Sequence, residues 1–382
     1  MRRILVVQPY VPEYRVPLFD YLRRCLPQIG FEFHVAAGRP RLDQQLRGDV
    51  SPPLAFTRQL DQLDLSLGSW DIHYKKVKPL LKELRPDMLV IEQAVKNLES
   101  WPLLLSRSSR RPLIGIWGQG DYYSHSPSPI SKRMKLLMNQ RGRWFFTYTQ
   151  AGSDFIIEHG FPRDRVTILN NSTDTTQLRY DLLRVSSKQL GDLRTRYGLA
   201  EGKTALFMGG VDARKGIGFL VEAARIIGEA DQHFKLLVVG EGGEVWRVKR
   251  AQAAGQPIRY LGRAEGLAKA EILAVSDFLM IPEWVGLVAT DALAAGRPVV
   301  TTNHFSHAPE FAYLIDGLHR ITTPHDVEIY AASIAELMKD QERLREMQQL
   351  SLTEGMTYSI EAMGEHFIQG IIEWVRKDLP CQ

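Results

Sequence analysis

The chain has 382 residues, too many for one ordinary core, and at about 150 residues per domain it predicts two. Apolar residues make up 44% and charged residues 24%, which excludes a disordered, collagenous or coiled-coil chain. Basic residues exceed acidic ones by 48 to 44, a small surplus that argues against a dedicated nucleic-acid binder unless the charge is clustered. Cys25 and Cys381 alone can build neither a disulfide framework nor a four-cysteine zinc site, which predicts a reducing, intracellular setting.

The opening MRRILVVQPY turns polar after four apolar residues and lacks the core of a secretory signal. No run approaches the roughly 18 apolar residues of a membrane span. Short apolar runs then alternate with segments of helical period, as parallel sheets covered by helices require. Strands are predicted at Ile4–Val7, Glu32–Ala36, Met88–Ile91, Leu113–Trp117, Phe145–Tyr148 and Val166–Leu169, with helices such as Val16–Leu26 and Tyr74–Leu84 between them. The polar stretch Gly38–Trp70 reads as a long irregular loop. After the charged, helix-prone Ser187–Arg196, a second series runs through Ala205–Met208, Lys235–Val239, Ile258–Leu261, Phe278–Ile281 and Pro298–Thr301. The fold class expected is α/β, with two doubly wound, Rossmann-like domains at 1–175 and 176–358. In the closing segment 359–382, Ser359 is a candidate N-cap, and Ile360, Met363, Phe367, Ile371 and Trp374 form one apolar stripe that needs a burial partner.

Three segments of the second domain carry chemistry. In TALFMGGVDARKGIGFLVEAARII, a strand ends at Met208, Gly209 and Gly210 permit a tight turn, and Lys215 stands at a helix start. Unpaired helix N–H groups beside a lysine suit an anion, although a plain β–α turn with a surface lysine reads equally well. The spacing is not that of a P-loop. In KLLVVGEGGE, Gly240, Gly242 and Gly243 form a loose dinucleotide-type turn that could be structural. In IPEWVGLVATDALAAGRPVVTTN, Glu283 leaves a strand, Gly286 permits close backbone approach, and Leu287–Ala295 reads as a helix containing Asp291. Two carboxylates near a glycine-lined crevice can hold the hydroxyls of a sugar and a ribose, or else cap a helix and face solvent.

In serial order these segments, with LGR at Leu261–Arg263, resemble the nucleotide-sugar domain of the retaining family-four glycosyltransferases, which are similar to glycogen synthases. The resemblance covers most of residues 165–375 and extends weakly to PYVPEYRVPLFDYL and VTILNNSTDT, which look like bacterial members. It implies a GT-B fold, two Rossmann-like domains facing across a cleft with the C-terminal helix crossing back. It implies that Lys215 and the Gly209–Gly210 turn hold the donor diphosphate, Glu283 the transferred sugar and Asp291 the ribose. Backbone at Leu261 to Arg263 would read the base, and amides at Leu287 and Val288 would help hold phosphate, with Gly240 and His307 beside the donor. A fixed cation and helix N–H groups would then stabilise the leaving diphosphate without metal. Attack from the face the diphosphate leaves requires no enzyme nucleophile.

Several positions depart from that pattern. Gly210 stands where an arginine is usual, with Arg214 the candidate substitute; Asp291 replaces a glutamate; and Gln119, in IWGQGDYY, stands where many relatives have histidine. The usual DGxxG turn reads Asp316-Gly317 followed by Leu318, His319 and Arg320. His304, His307, His319 and His325 are expected to bind no metal, because FSHAPE reads as a loop and no acidic partner set is apparent. His307 is either a donor-site residue or a satisfied loop histidine.

Charge is clustered after all. Between Ser100 and Ser153, Arg107, Arg110, Arg111, Lys132, Arg133, Lys135, Arg141 and Arg143 stand against the single acid Asp121. In the predicted helix within Ile130–Arg143, Ile130, Met134, Leu137 and Met138 fall on one face and Lys132, Arg133 and Lys135 off it. This suits an anionic membrane surface, or an ordinary solvated helix. No groove-reading or base-stacking motif accompanies the charge, so nucleic acid is not an expected partner.

The function expected is a retaining, metal-independent hexosyltransferase of bacterial polysaccharide or glycan assembly. Its donor would be a nucleotide-diphosphate-sugar and its acceptor a lipid-linked saccharide, faced by Tyr14, Arg15, Gln119 and Asp121. It would be cytoplasmic, or peripheral on the inner face of the plasma membrane. The alternatives are a nucleotide-sugar 2-epimerase and a non-catalytic nucleotide-sugar-binding subunit.

Overall fold

The computed structural model describes residues 1–40, 50–52, 54–67, 70–106, 112–121, 128–304 and 307–379. They divide into two compact units, one of Met1–Asn171 with Ile360 onward, the other of Ser172–Ser359. Arg107, Arg110, Arg111 and Cys381, which enter the reading of charge and cysteines, lie outside the described residues.

In the first unit, β1 (Arg2–Gln8), β2 (Phe31–Ala37) and β3 (Thr57–Gln59) are followed by an antiparallel hairpin of β4 (Gln62–Leu67) and β5 (Trp70–Lys75). β6 (Met88–Glu92), β7 (Leu113–Gly118), β8 (Trp144–Thr147) and β9 (Val166–Ile168) follow. Apart from the hairpin they form a parallel sheet in the order β3-β2-β1-β6-β7-β8-β9. A strand alternates its side chains, so Ile4 and Val6 enter one core layer while Leu5 and Val7 enter the other. The C-terminal helix Ile360–Asp378 belongs to this unit. Its stripe is fully covered: Phe367 stacks on Phe146 with ring centroids 4.6 Å apart, and Trp374 on Trp144 at 6.4 Å.

Part of the stretch expected to be irregular is thus β3 and the hairpin. The helix predicted from Tyr74 starts only at Lys78, because Tyr74 and Lys75 pair with Leu63 and Gln62 and Pro79 sits in the first helical turn.

The second unit has β10 (Thr204–Met208), β11 (Lys235–Val239), β12 (Ile258–Gly262), β13 (Phe278–Met280), β14 (Val299–Thr302) and β15 (Arg320–Thr323). Their order is β12-β11-β10-β13-β14-β15, all parallel. β15, with the sequence RITT, has no apolar run and escaped the sequence reading; it occupies a sheet edge.

The helix Pro129–Arg141 buries only part of the predicted face, with Met138 fully buried and Met134 half-buried. Lys135, Met138 and Asn139 are inside, while Ile130 is 65% and Leu137 38% exposed. The Lys135 stem packs inward and its ammonium donates to the Asp121 carbonyl at 2.6 Å, which displaces the expected apolar register. No helix among the described residues is long and apolar enough to cross a membrane.

Candidate functional site

In a parallel sheet of this order, the chain leaves β10 and β13 in opposite directions, and the loops past their C-terminal ends border a crevice. Past β10 the backbone turns at Gly209, φ +141°, and packs directly on the loop past β11. A Cβ on Gly240 would stand 1.8 Å from the Gly209 carbonyl oxygen, and one on Gly242 2.3 Å from that of Val211. The Val211 amide donates to the Glu241 carbonyl at 2.8 Å, and the Glu244 amide to the Val211 carbonyl at 2.9 Å. The glycines of GEGG are therefore required by backbone contact between two loops.

Lys215 lies in the one-turn helix before Gly216 and is only 8% exposed. Its Nζ donates to the Trp284 carbonyl at 2.6 Å and stands 3.7 Å from the place of a Gly209 Cβ. The ammonium is thus held over the glycine turn, next to the start of helix Ile217–Ala230. Arg214 instead pairs with Asp212 at 3.2 Å and lies over the Trp284 ring at 5.3 Å, beside the Gly210 position.

Past β13, the Glu283 carboxylate reaches the same helix start: a Cβ on Gly216 would meet its Oε1 at 2.6 Å. His325 contacts that oxygen through Nε2 at 2.9 Å, and His304 Nε2 lies 3.8 Å from Oε2. Lys215, Glu283 and the Gly209 turn, read from separate segments, therefore converge. The next residue, Trp284, has a φ of +51°, in the region disfavoured for bulky side chains.

Asp291 sits inside helix Val288–Ala294 and is already engaged. It accepts from Thr173 Oγ1 at 2.9 Å and pairs with Lys269 at 2.8 Å. His307 is 9% exposed: its Nδ1 accepts from the Val285 amide at 3.1 Å, and its Nε2 faces the Thr302 carbonyl at 2.9 Å. Since a carbonyl only accepts, the Nε2 carries the proton. Burial pushes the pKa down to about 4, so the ring stays neutral and braces the Trp284–Gly286 loop. Gly286 is packed 3.4 Å from Ala308 Cβ, reckoned from a Cβ of its own, and Leu287 and Val288 open the Asp291 helix. Leu261 is the penultimate residue of β12, and Arg263 pairs with Glu265.

The first unit has its own crevice where β1 and β6 part. A cavity of about 310 Å³ is lined there by His73, Lys75, Glu92, Gln93, Lys96 and Lys135, among others. The Lys75 and Glu99 side chains are at most 5% exposed and pair at 2.9 Å. Desolvation raises the Glu92 carboxyl above the usual range, opposed by Lys75. Gln93 clamps the turn after β7, donating to the Gly120 carbonyl at 2.8 Å and accepting from its amide at 3.0 Å. These residues were missed by the sequence reading; the available signal was EQ directly after the apolar MLVI of β6.

Of the residues expected to face an acceptor, Gln119 precedes this clamped turn and Asp121 receives the Lys135 ammonium on its carbonyl. Tyr14 lies beneath the Arg15 guanidinium at 5.2 Å. Arg15 itself is 3% exposed, donating to Asn171 Oδ1 at 2.9 Å and lying 5.0 Å over Trp117.

The two parallel-sheet, Rossmann-like units define the GT-B class of fold. Over 97% of this chain and all of the other, the fold is similar to Anabaena HepE in complex with UDP, with a TM-score of 0.69 at 15% identity. It is also similar to UDP-GlcNAc 2-epimerase from Neisseria meningitidis, 0.64 at 14% identity, over 97% of this chain and all of that one. Residues 202–340 match the family described as glycosyl transferases group 1. A phosphatidyl-myo-inositol mannosyltransferase of Mycobacterium leprae is 38% identical over 109 residues, which are 27% of this chain and 29% of that protein. The chain thus spans less than a third of that curated relative.

Proposed function

We propose that this protein is a retaining, metal-independent glycosyltransferase that moves a hexose-type sugar from a nucleotide-diphosphate-sugar to a hydroxyl of a lipid-linked saccharide. The observation that carries the proposal is the convergence of Lys215, the Gly209 turn and Glu283 at the switch point of the second sheet. The buried ammonium and the start of helix Ile217–Ala230 would take up the charge that grows on the departing diphosphate. Glu283 would accept from the sugar hydroxyls, and the acceptor proton would leave with the phosphate. The group 1 match over residues 202–340 supports the donor half of this reading.

A lipid-linked acceptor is supported by the name of the mannosyltransferase relative. It is supported also by helix Pro129–Arg141, which exposes Ile130 and Leu137 beside Lys132, Arg133 and Arg141. Each base near an anionic lipid surface would add about 1 kcal/mol. The protein would then work at the inner face of the plasma membrane. The polar crevice of the first unit would receive the saccharide.

The test is calorimetric titration of UDP and GDP in excess EDTA. One of them binds the native protein, and Lys215→Ala weakens it at least tenfold, about 1.4 kcal/mol. Binding of neither nucleotide would sink the proposal.

A further inference from the structure

We propose that Glu283, His304 and His325 form a binding site for a divalent transition metal of the zinc class. The three residues come from one architectural position. β13, β14 and β15 are neighbours in the parallel sheet, and each sends one ligand from the second or third residue past its C-terminal end. Parallel neighbours lie about 4.8 Å apart, so three such positions converge without any unusual backbone. One ligand atom from each of the three lies within 4.8 Å of the other two.

The spacing suits a metal of zinc size. Bonds of about 2.0–2.1 Å in a tetrahedral shell place ligand atoms roughly 3.3–3.4 Å apart. Here His325 Nε2 is 2.9 Å from Glu283 Oε1 and His304 Nε2 is 3.8 Å from the other oxygen, Oε2, so the set of one atom per residue, within 4.8 Å, must draw in to reach that separation. Small side-chain rotations bring all three onto one ion and leave an open position for water. Two imidazoles and one carboxylate favour zinc, cobalt or nickel over magnesium, which prefers oxygen and keeps its water.

The ligand-bearing loops are also braced to one another. The Thr302 hydroxyl donates to the Pro282 carbonyl at 2.7 Å, and the Asn303 amide to the Thr323 carbonyl at 2.7 Å. The Asn303 side chain accepts from the His325 amide at 3.1 Å. The His325 ring stacks on Phe219 with centroids 4.8 Å apart. The backbone bonds hold the loops in register and the stacking sets the plane of the His325 ring before an ion arrives. The His325 side chain is 39% exposed, which gives the ion a way in. Lys215 and the start of helix Ile217–Ala230 oppose a cation here, so micromolar rather than nanomolar binding is expected.

The metal is not a participant in sugar transfer. It would compete for the carboxylate that the proposed function assigns to the sugar, and so act as an inhibitor; that consequence rests on the proposed function, whereas the site does not. The test is titration of untagged protein with Co²⁺, followed by its visible absorption, with Zn²⁺ as competitor and excess Mg²⁺ as control. One equivalent of Co²⁺ develops a tetrahedral-type spectrum that Zn²⁺ removes and Mg²⁺ leaves intact. His325→Ala or His304→Ala weakens binding at least tenfold, while Lys215→Ala keeps the spectrum. Absence of a cobalt spectrum, or an unchanged one in the doubly substituted protein, overturns the site. Donor consumption falling with zinc at the same half-saturation supports the inhibitory role, and consumption unaffected by bound zinc overturns it. Failure of nucleotide binding with the cobalt spectrum intact defeats the proposed function and leaves the metal site standing.

Discussion

Both units open a crevice where the direction of winding reverses in a parallel sheet, yet they build it from different materials. In the second unit the crevice is made of backbone: the turns at Gly209 and Gly240 touch carbonyl to Cα, and Lys215 and Glu283 are set upon them. In the first it is made of buried charge, with Lys75, Glu92 and Lys135 drawn from the hairpin, the end of β6 and a helix, and Glu99 paired with Lys75. A backbone-built site depends on residues that have no side chain to change. A charge-built one depends on every partner being present, since one ion left alone in the interior is costly.

The sharpest way to break the contrast is Gly240→Ala. The new Cβ has no room beside the Gly209 carbonyl and the φ of +135° is closed to alanine, so urea unfolding should lose at least about 4 kcal/mol. Gly30→Ala in the first unit has a φ of +88° but open space around it, and should cost only about 1–2 kcal/mol. Equal losses would refute the distinction between backbone contact and mere torsion.

Glu99→Gln comes next. It strands the buried Lys75 ammonium and should cost about 3–5 kcal/mol, whereas Lys75→Met combined with Glu99→Leu should recover most of that. If the double variant is no better than the single, the pair is not held by mutual charge.

Two of the buried lysines, Lys215 and Lys135, separate function from stability. Lys215→Ala should abolish most nucleotide affinity, and Lys135→Met should leave that affinity within about twofold, as the same titration calorimetry would measure. Lys135 should reveal itself by pH instead. Burial lowers its pKa from 10.5 to about 8, so between those values the unfolded chain carries the extra proton. Native stability should therefore rise with pH across that window, by up to about 1.4 kcal/mol per unit, relative to Lys135→Met. Taking the difference between the two proteins cancels the tyrosines that titrate above it. A parallel pair of curves would show that the lysine is solvated.

The same contrast explains what could be read in advance. β10, β11 and β13 announce themselves as apolar runs ending in glycine or proline, because a strand buried on both faces has no polar alternation to hide in. Gly209, Gly240 and Glu283 follow those runs within three residues and Lys215 within seven, so each is marked along the chain as a residue at the mouth of the sheet. Glu92 and Gln93 stand in the same relation to β6 and could have been found by that rule. Lys75, Glu99 and Lys135 could not, since nothing local distinguishes a lysine that will be buried from one that will be solvated. Asp291 was read as a free carboxylate because Lys269 and Thr173, which hold it, are 22 and 118 residues away.

The amino-acid sequence by itself determined two parallel-sheet domains, their core strands, the apolar stripe of the last helix and the glycine turns of the second crevice. These rest on short-range causes: apolar periodicity, backbone torsion and the residue that follows a strand. Tertiary structure decided which stripe met which core. It decided that Lys135 rather than Ile130 would face inward, and that His304 and His325 would meet Glu283. Each of these depends on loops brought side by side by strand order, and the pairing of strands is a long-range property that no local pattern encodes.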